Sequence, residues 1–175
     1  MDLKVLEGDI AQVESDAIIT AVNSEGMWFG GVDGVIQRAA GGFFHAQAQK
    51  KLPLKQGDTV VANGASHEHR GAFTNVVFVI DDLQAPLAEV VENGLSAASK
   101  AGFASVTVPT IRMGVMLGAV EKSAAEAIDQ MGQGVDAFLR KNIGTSIKSI
   151  SFVVYRDPET AALLRQRLGT VLQTV

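Results

Sequence analysis

The sequence predicts an α/β fold in which helices cover a largely buried sheet. Three observations carry this prediction. Short runs rich in Val, Ile, Thr and Phe recur along the chain, the residue types that suit a pleated, packed surface. Between them lie segments with apolar residues at helical spacing. One run, "DAIITAV" at 16–22, is apolar on both alternating faces, the pattern of a strand covered from both sides. Strands that alternate with helices in this way build layered α/β structures.

Taken in order, "LKVLEG" (3–8) is a short alternating strand and "DAIITAV" the buried one. Residues 32–41 form a helix with Val32, Val35, Ile36 and Ala39 on one face, and 43–51 a short second helix. "DTVVAN" (58–63) and "NVVFVI" (75–80) follow as strands. The segment 84–101 carries Leu87, Val91, Leu95 and Ala98 on one stripe. "ASVTVP" (104–109) is a strand, and 121–141 a helix burying Ile128, Met131, Val135 and Phe138. Gly132 and Gly134 weaken that helix, because glycine loses the most backbone freedom on ordering. "KSISFVVY" (148–155) is the last strand. In "DPET", Asp157 is suited to capping and Pro158 to the first turn of a final helix that turns Leu164, Leu168 and Leu172 inward.

Composition narrows the functional classes. At 175 residues, with 47% hydrophobic and 19% charged residues, the chain is expected to be one globular domain over 1–175. It has no cysteine, which removes disulfides and thiolate metal sites. No apolar run approaches the ~18 residues of a membrane span, and "MDLKVLEGDI" has neither the basic start nor the apolar core of a signal peptide. A cytoplasmic location away from membranes is therefore expected. The net charge of −4 and the lack of a strong basic patch argue against nucleic acid as a partner. A phosphate ligand remains open, since backbone N–H groups at glycines and helix N-termini bind anions without Lys or Arg.

In open α/β sheets ligands sit beyond the carboxyl ends of strands. Two loops fall there. The stretch "NSEGMWFGGVDGVIQRAAGG" (23–42) contains six glycines, one Asp and the only Trp. Gly30, Gly31 and Val32 can offer N–H groups to phosphate, or the glycines can simply turn the chain while Asp33 caps the helix. The second loop, "PTIRMGVMLG" (109–118), can add donors from Ile111, Gly114 and Val115, with Arg112 as a cation for phosphate or as a solvated side chain. No G-x-G-x-x-G, P-loop or G-x-S-x-G is present, and no cofactor is expected. His45, His67 and His69 are the only histidines. "HEH" at 67–69 lies in an expected loop with no further ligand nearby, so no metal site is assigned.

"EGDIAQVESDAIITAVNSEGMWFGGVDGVIQRAAGG" resembles the first third of the macro domain family. Its members begin with a strand, then Gly-Asp-Ile, then "VDAIVNAAN", a glycine run and "GVDGAIHRAAG". "QGDTVVANG" and "GFASVTVPTIRMG" resemble later family segments. The resemblance implies a three-layer α/β/α fold with a mixed six-stranded sheet. It also implies a cleft for ADP-ribose or a related nucleotide. In some branches it implies a hydrolase that removes ADP-ribose from modified proteins or acetyl from O-acetyl-ADP-ribose, with ADP-ribosylated proteins as partners. On the same basis Asp9 contacts the adenine amino group with Ile10 beside the ring, Tyr155 flanks the base, Asn23 meets the distal ribose, and Asp33 positions or activates water.

Several positions depart from the pattern. Thr20 replaces the first Asn of "VNAAN", Trp28 and Phe29 replace glycines, and Arg112-Met113-Gly114 replaces Ser-Thr-Gly. Trp28 and Phe29 either stack over the sugar or occlude it. Three readings stay open: a hydrolase using Asn23 and Asp33, a reader of ADP-ribose, and a catalytically inactive domain acting through protein contacts.

Overall fold

A computed structural model describes residues 1–26 and 31–171. Among these residues six strands form one sheet, β1 (Asp2–Glu7), β2 (Ser15–Val22), β3 (Thr59–Ala62), β4 (Phe73–Ile80), β5 (Ser105–Pro109) and β6 (Ser149–Val154). Their order is β1-β6-β5-β2-β4-β3. All neighbours are parallel except β3, which runs antiparallel to β4 and makes the sheet mixed. The helices are α1 (Val32–Ala40), α2 (Phe43–Gln49), α3 (Leu87–Lys100), α4 (Ala124–Lys141) and α5 (Pro158–Val171). The three-layer α/β/α fold implied by the resemblance is the fold observed.

Side-chain alternation along β2 explains the layers. Ala17, Ile19 and Ala21 join a core with residues of α3, α4 and α5. Ile18 and Val22 point the other way, into a core with α1 and α2. Both faces of β2 are covered, so its sequence needs almost no polar side chain. Past Asp16 at the start of the strand, the polar side chain on the α1 side is Thr20, buried yet on the wall of the cleft described below.

Most elements stand within a residue or three of expectation, and the differences have local causes. The third helix begins at Leu87 because Pro86 is extended and the Leu87 N–H is taken by the Glu121 carboxylate at 2.8 Å. The fourth begins at Ala124, not 121, because Ser123 caps it by accepting from the Glu126 N–H. Despite its two glycines α4 is continuous. A Cβ on Gly134 would stand 2.6 Å from the Ala88 carbonyl oxygen, so glycine there lets α4 lie close against α3. The final helix opens at Pro158, with Asp157 accepting from the Thr160 N–H and hydroxyl. Leu172 lies outside the described residues.

Candidate functional site

The connection after β2 leads to α1 on one face of the sheet, and the connection after β5 leads to α4 on the other. Because β2 and β5 are neighbours, their carboxyl ends part and leave a crevice, the place where open α/β sheets bind ligands. A cleft of about 210 Å³ occupies it. Its walls are Thr20 and Ala21 from β2, Gly31, Val32 and Asp33 from the start of α1, and Pro109 to Arg112 and Gly114 to Met116 from the second loop. The start of α1 and the second predicted loop therefore face one another.

Gly31 is the residue before α1, with φ 56°, a left-handed conformation that favours glycine. A Cβ at Gly31 or at Gly114 would meet nothing within 4 Å, so neither glycine is required by protein packing. Among the described residues, nothing beyond the chain neighbours stands over the backbone at either position. No side chain among the described residues caps α1, and its N-terminal amide dipole opens toward the cleft wall. Val115 is 83% exposed on the rim.

Asp33 does not cap the helix. It sits in the first turn, 2% exposed, and is bonded at 2.9 Å to Nε2 of His45 from α2. Burial raises its pKa above the usual carboxylate range, and the hydrogen bond and charge of His45 pull it back part of the way. The folded protein thus holds this proton more readily than the unfolded chain. The stability linked to it is present below the unfolded pKa and is lost as pH rises through the folded value. We expect Asp33→Asn to be more stable than the parent at neutral pH and the gap to close on acidification. Thermal melts across pH measure this, and a gap that widens toward acid would contradict it.

Arg112 requires a correction. It is neither a solvated side chain nor a free cation for phosphate. Its side chain is buried and donates to Asp81 at 2.7 and 2.9 Å, to both oxygens of Glu121 at 3.0 and 3.1 Å, and to the Ala85 carbonyl. Burial alone would lower its pKa, but Asp81 and then Glu121 outweigh it and hold the guanidinium firmly charged. With the fork so committed, Arg112 shapes the second loop. Its φ of 62° is part of that shape.

Other expected residues lie elsewhere. Asp9 is exposed and caps a single 3-10 turn, Ile10–Gln12, by accepting from the Ala11 N–H at 2.9 Å, while Ile10 is buried. Tyr155 is 63% exposed just after β6, with the Arg156 guanidinium 5.0 Å from its ring centre. Because Gly8 donates to the Val154 carbonyl, Asp9 and Tyr155 stand at the same end of adjacent strands. Neither lines the cleft itself. Asn23 turns the chain after β2, accepting from the Glu25 N–H. Trp28, Phe29 and Gly30 lie outside the described residues. His67 stacks on Phe43 and bonds the Ala40 carbonyl, and the Gly71 N–H donates to His69. No metal-holding cluster occurs among the described residues, and none of the described helices is long and apolar enough to cross a membrane.

Sequence reasoning missed His45, Asp81 and Glu121. His45 lies twelve positions from Asp33 on a different helix, a spacing with no periodic signal. Asp81 was visible as an acid at the end of an apolar strand, but its partner is 31 residues away.

The family model described as "Macro domain" matches residues 19–128. An O-acetyl-ADP-ribose deacetylase of Klebsiella pneumoniae is 32% identical, the match covering 95% of this chain and 96% of that protein. The Trypanosoma brucei macrodomain in complex with ADP-ribose superposes with a TM-score of 0.76 at 19% identity, covering 94% of this chain and 68% of that one. The Oceanobacillus iheyensis macrodomain with ADP gives 0.74 at 21%, covering 99% and 93%. With a family model over well more than half its length, and a relative matched nearly end to end, the chain belongs to the macro domain family.

Proposed function

We propose that this chain, acting as one domain in the cytoplasm, binds ADP-ribose or a closely related nucleotide in the cleft between β2 and β5. The observation that carries this reading is the cleft between the start of α1 and the second loop, where among the described residues nothing beyond the chain neighbours stands over Gly31 or Gly114. The diphosphate lies against the N-terminus of α1 and the backbone of the second loop, where N–H groups and the helix dipole favour anions. The distal ribose lies toward Asp33 and Asn23. Ligand pockets commonly span roughly 300–1,000 Å³, and this cleft is about 210 Å³. The adenine therefore extends over the sheet edge toward Asp9, Ile10 and Tyr155.

Hydrolysis is a second reading, favoured by one observation: a buried carboxylate, Asp33, lines the cleft and is oriented by His45. A carboxylate so held can accept a proton from a water that attacks the anomeric carbon of an ADP-ribosylated side chain, which leaves, or the acetyl carbon of O-acetyl-ADP-ribose, whose ribose oxygen leaves. ADP-ribosylated proteins or O-acetyl-ADP-ribose, the compound named in the Klebsiella relative, are the corresponding substrates.

Asp9 provides the test of orientation. If its carboxylate accepts from the adenine amino group, Asp9→Ala weakens ADP-ribose binding by roughly 1–3 kcal/mol, the range for a lost charged hydrogen bond. The mutant then binds ADP-ribose and its inosine analogue alike. A mutant that keeps the preference for adenine rules out the role.

A further inference from the structure

We propose that His45 is a positioning residue for Asp33: by donating from Nε2 to Oδ1 it keeps the carboxylate ionised and fixed in the cleft wall. The inference rests on the reading of this cleft as the ligand site. It makes the cleft present an acceptor-only group to a ribose hydroxyl or a water.

The geometry is specific. The His45 and Asp33 side chains are each only 3% exposed, and they meet at 2.9 Å. The His45 ring packs on Phe78 of β4, centroids 4.9 Å apart, while its neighbours Phe44 and Ala48 on α2 are core residues. The imidazole is therefore held by packing on one side and by Asp33 on the other. An ionised carboxylate only accepts, so Nε2 must carry the proton in the bond.

The other groups around Asp33 do not replace this donor. On α1, Arg38 is exposed and its guanidinium lies beside Gly34, 3.3 Å from where a Cβ there would stand. On β2 the neighbour across the cleft is the uncharged Thr20. On the second loop Arg112 is held by Asp81 and Glu121. On β4 the packed residue is Phe78. Among the described residues, His45 is the titratable group that faces the carboxylate. Without it, a carboxylate this deeply buried loses its compensation for leaving water and takes up a proton.

The experiment compares the parent with His45→Gln, whose amide reaches a similar distance, and with His45→Leu, which fills the space without a donor. Carbon-13 NMR of aspartate-labelled protein follows the Asp33 carboxyl against pH, with Asp33→Asn assigning the signal. Calorimetry follows ADP-ribose affinity over the same range. We expect Asp33 to be ionised at neutral pH in the parent and in His45→Gln. In His45→Leu we expect it protonated there, with ADP-ribose affinity about tenfold lower at pH 7 and recovering as pH rises, a displacement of about one pH unit. An Asp33 signal in His45→Leu that titrates as in the parent overturns the proposal. So does an equal, pH-independent loss in both variants, which marks a packing role. If His45→Leu does not fold, His45→Asn, whose shorter amide cannot reach Oδ1, takes its place with the same expectations. If the parent itself binds no ADP-ribose, the ligand reading fails, and the NMR titration still decides the role of His45.

Discussion

Replacing Arg112 with Ala is expected to destabilise the protein by about 3–5 kcal/mol, the cost of removing one member of a buried ion pair. The loss comes less from the missing attraction than from what stays behind. Asp81 and Glu121 are both buried, and each would face the interior without its counter-charge. Glu121 also accepts from the Leu87 N–H, so the same cluster ties the end of β4, the start of α3 and the second cleft loop together. Denaturant titration should show a lower midpoint with little change in slope. Adding Asp81→Asn and Glu121→Gln to an Arg112→Met background should restore much of the loss, because neutral groups of similar shape carry a far smaller desolvation penalty. A loss under about 1 kcal/mol in Arg112→Ala would mean that water replaces the guanidinium, contrary to the burial seen.

Phe44→Ala is expected to cost about 3–5 kcal/mol as well, for a different reason. The ring is fully buried beneath α2 and meets Phe73 and His69 with centroids 5.6 and 5.7 Å away. Gly64 faces it so closely that a Cβ there would come within 2.7 Å of the ring. A truncated side chain leaves a cavity that this packed wall cannot easily collapse to fill. Since His45 is the next residue on α2, the substitution should also loosen the Asp33–His45 contact. Thermal melts give the stability change, and a cost below about 2 kcal/mol would show that α2 relaxes into the space.

The contrast between these clusters shows how far sequence reached. The sheet was legible because β2 and β4 are buried on both faces, which writes long apolar runs into the chain. The cleft was legible as a place, because glycines after buried strands mark where backbone can approach a ligand. Its chemistry was only partly legible. Asp33 was singled out, but its partner was not, since the bond joins two helices whose relative placement is set by packing on Phe78 and the sheet. Arg112 was seen as a cation near phosphate. Its commitment to Asp81 and Glu121 depends on a loop that doubles back, a feature no local pattern encodes. For Asp9, the capping role and the ligand role use one exposed carboxylate, and the structure shows the cap.

Titration of the parent protein with ADP-ribose tests the central claim most directly. Calorimetry should give saturable one-site binding. The melting temperature should climb with ligand as mass action requires, by the equivalent of about 2.7 kcal/mol at a hundred times Kd. Heat that never saturates at millimolar ADP-ribose, with an unmoved melting temperature, would contradict the account.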